Sequence, residues 1–226
     1  MHRIGIPLLA ALLLPATLTG GGNPPPAGIT VDKAKRTVLI DAKIAPRKLA
    51  YLKGEVYPIE VIACWPHPRG KKAHETVVTI DVMPSAVHKA LEDIGLKAGK
   101  PVMGESDAPP AGPEVKVYLE VPDVGGDVRR IPMERALVDM KTGKQPKKLE
   151  FRFTGSTVKQ ADPNKPEKSY GADISGTLGV IFPVSDDTVL QTHLTMKEEK
   201  YLKLETNTRI LPKEGTPVKL VLVAGK

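Results

Sequence analysis

The sequence predicts an α+β fold that is predominantly β, made of antiparallel strands with one clear short helix at about residues 85–95. Apolar residues alternate with polar ones in seven runs rich in β-branched side chains, a pattern typical of half-buried strands. The chain has 22 prolines and 20 glycines, and these punctuate the runs as expected for short strands joined by turns. The predicted strands cover residues 37–44, 59–65, 76–83, 115–121, 151–153, 177–182 and 218–223.

The predicted helix follows the third strand. Apolar residues repeat at helical spacing through this segment. Pro84 and Ser85 supply its start, with Ser85 as the predicted N-cap. Gly95 is the predicted left-handed stop, and Leu96 is expected to fold back as its apolar partner.

Three further segments lack a clear strand pattern. Residues 134–140 fit either a second short helix or a strand, and the sequence does not separate the two. Residues 104–113 and 161–168 are rich in proline or polar residues, and both are predicted to be surface loops within one body rather than linkers.

The chain is expected to have three parts. Residues 1–22 have a short basic start, an apolar run and a small, polar end, which is the layout of a secretory signal peptide. The apolar run is too short to span a bilayer, although a retained signal anchor stays open. Residues 23–29 form a Pro/Gly-rich linker, and residues 30–226 form a single β-rich domain. We therefore expect an exported protein of the periplasm or cell envelope.

Composition limits the classes of partner. Lys and Arg number 33 against 26 Asp and Glu, a net charge of +7, and a positive surface favours anionic partners such as envelope polymers. A dispersed, solvated lysine surface explains the same charge. Nucleic acid is not expected as a partner, because aromatic residues make up only 4% of the chain and single strands need stacking platforms. The single cysteine, Cys64, permits no intramolecular disulfide.

A series of short motifs carries a family resemblance. The central motifs are Cys64, Lys72-Ala73-His74-Glu75, Asp81, Pro84-Ser85, His88, Leu91, Gly95 and residues 99–102 (GKPV). Weaker ones are residues 153–156 (FTGS), 170–173 (YGAD), 182–183 (FP), 207–212 (NTRILP) and 215–218 (GTPV). Together they resemble the YdjY-type domain of exported bacterial proteins, which is frequent in planctomycetes, over roughly residues 48–223.

The resemblance implies a location but no activity, because no function is established for the family. Some members carry a ferredoxin-like label. A four-iron cluster needs several cysteine thiolates, and Cys64 is alone in this chain. No iron-sulfur cluster is therefore expected here.

Cys64, His74, Glu75 and His88 form the candidate functional cluster. Cys64, His74 and His88 are ligand types that suit zinc or copper, although their spacing matches no established zinc finger. A structural interpretation is favoured over metal binding. Cys64 is then buried as a small apolar residue, His88 borders the helix, and His74 and Glu75 are a polar pair that closes a hairpin.

A catalytic interpretation takes Cys64 as nucleophile, His74 or His88 as base, and Glu75 or Asp81 as the orienting carboxylate. Strand geometry argues against it. Successive side chains of a regular strand face opposite ways, so His74 and Glu75 are not expected to share a pocket unless the strand begins with a bulge. The H-E-x-x-H, G-x-S-x-G and glycine-rich phosphate-loop motifs are absent, and no catalytic residue is assigned.

The predicted function is that of an exported, monomeric or weakly associating envelope protein. It acts as a non-enzymatic binding or structural component, and its partner is an anionic envelope polymer or another envelope protein. The alternative is a metal-binding or Cys-dependent redox protein that uses Cys64, His74 and His88. Trp65 is predicted to be a core anchor, because a lone Trp supplies much of the packing surface of an aromatic-poor chain.

Overall fold

The computed structural model describes residues 26–104, 106, 108–162, 164 and 166–225. The predicted signal peptide and the first part of the predicted linker lie outside these residues. The strands are β1 Ile29–Asp32, β2 Thr37–Ile44, β3 Val61–Cys64, β4 Thr76–Ile80, β5 Glu114–Pro122, β6 Val128–Pro132, β7 Leu137–Asp139, β8 Phe151–Phe153, β9 Val158–Gln160, β10 Lys168–Tyr170, β11 Thr177–Val180, β12 Leu190–Thr192, β13 Leu204–Thr206 and β14 Pro217–Ala224. The helices are α1 Pro84–Asp93, α2 Gly171–Ser175 and α3 Met196–Tyr201.

Eight of these strands close into a barrel. Their order is β2-β14-β5-β8-β12-β11-β3-β4, and pairing of β2 with β4 completes the circle. The first half of β2 pairs with β1 and its last residues pair with β4, so β1 lies outside the closed ring. Similarly, the first residues of β5 pair with β8 and its last residues pair with β6, so β6 also lies outside the closed ring. The strands β9 and β10, and β7 and β13, form two small separate sheets.

The predominantly β prediction is confirmed, but the strands are not all antiparallel. Within the barrel, β3 pairs with β4 in parallel, and so does β11 with β12. The other barrel pairs are antiparallel. A parallel pair needs a connection that runs back along the barrel instead of a tight turn. The segment between β3 and β4 is such a connection, so the expectation of a hairpin there is wrong.

The barrel interior is filled by side chains, as expected for an eight-stranded barrel. Alternate residues of β2, such as Val38 and Ile40, are fully buried. Phe151 and Phe153 of β8 are 1% and 0% exposed. Trp65 is 8% exposed and donates its Nε1–H to the Val82 carbonyl at 2.7 Å, so the prediction of a core anchor is confirmed. In the described part of the chain, every helix is too short or too polar to cross a membrane.

All seven predicted strands overlap observed ones, and the bounds of β2 and β8 are those expected from the sequence. Residues 134–140, predicted as either a short helix or a strand, contain one of each. A 3₁₀ helix covers Met133–Ala136, and strand β7 follows directly. The strands that the sequence did not predict are mostly three or four residues long, too short for an alternation of apolar and polar residues to be recognised.

The helix α1 is confirmed, but its predicted N-cap is wrong. Met83 occupies the N-cap position without a side-chain hydrogen bond, and Pro84 is the first helical residue. The Ser85 amide donates to Asp173 Oδ1 of α2 at 2.8 Å, so a carboxylate distant in sequence satisfies the helix start. At the other end Gly95 has a φ of 87°, and the Leu96 amide donates to the Leu91 carbonyl at 3.1 Å, which confirms the predicted stop.

Substitution of Asp173 should therefore cost more than substitution of Ser85. We expect Asp173→Ala to lower the free energy of unfolding by about 1 kcal/mol, because an amide and the positive end of the helix dipole lose their partner. Ser85→Ala should change it by less than about 0.5 kcal/mol. Asp173→Asn keeps an acceptor oxygen and is the matched control. Urea unfolding of the three variants measures the difference, and a larger loss for Ser85→Ala would contradict the assignment.

Candidate functional site

The connection between β3 and β4 carries most of the candidate residues. Cys64 is the last residue of β3, His67 and His74 lie in the connection, and Glu75 directly precedes β4. The connection is held against the barrel by backbone hydrogen bonds from Trp65 to the Gly176 carbonyl and from Lys71 to the Ser175 carbonyl. It therefore has a fixed course across the surface.

His74 and Glu75 are in direct contact. His74 Nε2 lies 2.8 Å from Glu75 Oε1, and the two side chains are 19% and 10% exposed. The expectation that they diverge is wrong, because β4 begins only at Thr76 and both residues belong to the preceding turn. Strand alternation does not apply there.

Three further rings gather around this pair. Together with the His74 ring we call them the aromatic patch: Tyr51, Tyr57, His67 and His74. Tyr51 stacks on His67 with ring centroids 4.3 Å apart and an interplanar angle of 24°. Its hydroxyl lies 3.3 Å from His74 Nδ1. Tyr57 meets His74 edge to face at 5.1 Å. Tyr51 is 46% and Tyr57 38% exposed, and His67 is exposed as well, so the patch faces solvent.

Two carboxyl groups and an ammonium group lie beside the patch. Glu75 Oε2 is 2.8 Å from Lys72 Nζ, and Lys72 is 3.6 Å from Glu60. Burial and the neighbouring Glu75 charge raise the pKa of Glu60 from its ordinary 4.5 to about 7. Glu60 is therefore only partly ionised near neutral pH.

The buried guanidinium of Arg47 fixes the backbone of the patch. Its Nη1 donates to the His74 carbonyl at 2.7 Å, and its Nη2 donates to the Tyr57 carbonyl. Its Nε donates to Glu205 at 2.7 Å. Burial alone would raise the pKa of Glu205, but hydrogen bonds and charge from Arg47 bring it below its usual value. The sequence gives no sign of this role, because the burial of an arginine depends on contacts distant along the chain.

Cys64 points away from solvent. It is 0% exposed, packs with Val61 and Val180, and lies 3.9 Å from the Thr177 hydroxyl. A β-carbon on Gly70 would lie 2.9 Å from the sulfur, so the connection covers the thiol closely. Burial raises the pKa of Cys64, which disfavours the reactive thiolate.

His88 lies in a different environment, between α1 and the segment after β8. Its Nδ1 is 2.7 Å from the Tyr170 hydroxyl, which also accepts the Ser156 amide at 3.1 Å. Its ring meets Phe153 edge to face at 4.8 Å, and Nε2 is 3.6 Å from Glu92. Burial lowers the pKa of His88. This histidine joins the helix to the barrel.

The structure thus brings His74 and Glu75 together but gives Cys64 and His88 other neighbours. Among the residues that the structure describes, no three His, Cys, Asp or Glu side chains are grouped so that they could hold a metal ion. Sequence reasoning missed Tyr51, Tyr57 and Arg47 at the site. Of these three, only the two tyrosines could have been noticed in the sequence, because aromatic residues are rare in this chain.

An open cavity of about 730 Å³ lies elsewhere, on the outer face of β2, β4, β5 and β14 beside the turn between β5 and β6. Its charged residues include Asp41, which pairs with Lys219, and Glu120, which lies 2.6 Å from Arg130. No aromatic side chain among the described residues lines it. Its charges are thus largely satisfied within the chain.

Fold and site together define a mostly β protein with an eight-stranded barrel and a rigid aromatic patch on its surface. Residues 29–223 match the family model of the YdjY domain. The chain belongs to the YdjY domain family, which confirms the resemblance that its motifs suggest. Comparisons with curated proteins and with solved structures give no significant match.

The Cys64 thiol should be inert in the folded protein. We expect a maleimide to label it at least about a hundredfold more slowly in native protein than in urea-unfolded protein, because reaction requires the covering connection to open. Timed quenching and mass spectrometry measure both rates. Labelling of the native protein at the unfolded rate would contradict the observed burial.

Glu60 should make stability depend on pH. Between its ordinary pKa of 4.5 and its folded pKa of about 7, only the folded state keeps the proton, so stability falls as pH rises through this range. Because solvent partly screens the group, we expect a loss on the order of 1–2 kcal/mol. Urea titrations at pH 4.5 to 8 should show this decline in the wild type and a flatter profile in Glu60→Gln. Equal profiles would contradict the role of Glu60.

Proposed function

We propose that this chain is an exported component of the bacterial cell envelope that binds its partner through the aromatic patch without catalysing a reaction. The observation that carries the proposal is the exposure of Tyr51 and Tyr57 beside two histidine rings on one surface. Export rests on the secretory layout of residues 1–22. The partner is an envelope polymer or another envelope protein.

The distribution of aromatic residues supports a binding surface. The chain has three Phe, one Trp and five Tyr, and all three Phe and the Trp are buried. Tyr51, Tyr57 and Tyr201 are its most exposed aromatic side chains, and two of these three lie in the patch. Tyrosines that combine an apolar ring with a polar end are enriched at binding surfaces.

The rigidity of the patch also supports binding. Both ring nitrogens of His74 have partners, in Tyr51 and Glu75, and Arg47 holds the His74 carbonyl. Side chains that are already ordered lose little entropy when a partner binds. The open cavity of about 730 Å³ is the competing position, but its described lining residues include no aromatic group, and its Asp41, Glu120 and Lys219 are paired within the chain.

Envelope retention tests the proposal. We expect the tagged full chain, produced in its native bacterium, to be recovered with the envelope after spheroplasts are separated from periplasmic fluid. The double variant Tyr51→Ala, Tyr57→Ala should move to the periplasmic fluid, with at least about a tenfold loss of retention, because a few central residues, with tyrosine enriched among them, supply most of the binding energy of an interface. Immunoblots of each fraction give the distribution.

The matched control is Tyr201→Ala, which removes a more exposed tyrosine outside the patch and should keep wild-type retention. Recovery of the wild type in the cytoplasm would contradict export, and equal retention of all variants would contradict the patch. Near-stoichiometric zinc or copper in the purified wild type that disappears in Cys64→Ser would favour the alternative of a metal-binding or Cys-dependent redox protein.

A further inference from the structure

The stacked pair of Tyr51 and His67 offers a flat, solvent-facing ring surface. The two rings are nearly parallel, with an interplanar angle of 24° and centroids 4.3 Å apart. Both side chains are exposed. A ligand that stacks here needs a flat apolar face, because a ring surface gains most from close parallel contact.

Polar groups lie beside this platform, where His74 connects Tyr51 to Tyr57. Tyr57 donates its hydroxyl to Glu55 Oε2 at 3.0 Å, and Glu55 is exposed. The Tyr51 hydroxyl lies at the edge of His74. The border therefore offers the Glu55 carboxylate as an acceptor, together with two hydroxyl oxygens whose lone pairs can accept further hydrogen bonds.

The charges beside the platform disfavour a strongly anionic ligand. The guanidinium of Arg47 already donates its hydrogen bonds to Glu205 and to two backbone carbonyls. Lys72 is paired with Glu75 and with Glu60. A phosphate or an anionic lipid headgroup would find these cations already engaged and would meet carboxylates next to them.

We propose that the partner of the aromatic patch is an envelope glycan, bound with the face of one sugar ring on the Tyr51–His67 platform. This inference rests on the proposed function and names the class of its ligand. A sugar ring carries C–H groups on its faces and hydroxyls around its rim. It thus matches an apolar platform bordered by acceptors for its hydroxyls, in the way that small-ligand sites combine aromatic walls with a few placed polar groups.

The side-chain variants separate stacking from hydrogen bonding. Tyr51→Phe keeps the ring and loses the hydroxyl, so it should retain binding within about threefold. Tyr51→Ala and His67→Ala remove platform surface and should each weaken binding at least about tenfold. Tyr201→Ala is the control for loss of an exposed tyrosine and should bind as the wild type does.

The test uses purified full chain and envelopes isolated from the native bacterium, divided into three pretreated samples and one untreated sample. Periodate cleaves vicinal diols of sugars, protease removes envelope proteins, and organic solvent extracts lipids. We expect sedimentation assays to show binding to untreated, protease-treated and solvent-extracted envelopes. Binding to periodate-treated envelopes should fall at least about tenfold.

The outcomes separate this inference from the proposed function. Binding that requires Tyr51 but is lost after protease identifies a protein partner, and binding lost after solvent identifies a lipid; each overturns the glycan while the patch stays a binding surface. Binding that survives all three treatments also overturns the glycan. Binding that Tyr51→Ala and His67→Ala leave unchanged overturns both proposals.

Discussion

The patch depends on one buried charge. Arg47 is 9% exposed at its side chain, and a guanidinium removed from water must be fully paired. Its donors reach Glu205 of β13, the Tyr57 carbonyl before β3 and the His74 carbonyl before β4. One side chain thus joins the small β7–β13 sheet to the barrel and sets the backbone from which the rings of the patch project. Without it, the two carbonyls would lose this donor, and the Glu205 carboxylate would keep only the hydrogen bonds from Thr206.

The family landmarks serve two different purposes in this chain. His88 and Tyr170 meet at 2.7 Å, and Asp173 accepts the Ser85 amide. Their polar groups are satisfied inside the protein, where they attach α1 and α2 to the barrel, so their role is in the fold. Residues 72–75 instead end in the partly exposed His74 and its buried partner Glu75, and partly exposed polar groups on a fixed loop are where binding is usually found.

The sequence predicted what depends on local pattern. The long strands of the barrel, the course of α1 and its left-handed stop at Gly95 follow from periodicity and from glycine's tolerance of positive φ. It did not predict what depends on distant partners. The first free amide of α1 is bound by Asp173 of α2, and the backbone of the patch is held by Arg47. Neither contact has a local signature. Short strands such as Leu190–Thr192 form because they pair with neighbouring strands of the barrel, and their own β-propensity is too weak a signal to predict them.

The parallel pairing of β3 with β4 explains why the patch exists at all. In a hairpin, the end of β3 would lie beside the start of β4, and residues before β3 would lie at the opposite end of the barrel. In parallel register, Val61 lies beside Thr76, so the segments that precede the two strands emerge side by side. Tyr57 and His74 belong to these two segments, which is why their rings can meet at 5.1 Å. The antiparallel pairing of β2 with β4 brings the end of β2 to the same end of the barrel, and Arg47 follows that end directly. A surface assembled from segments distant in sequence is therefore fixed by the order and direction of three adjacent strands.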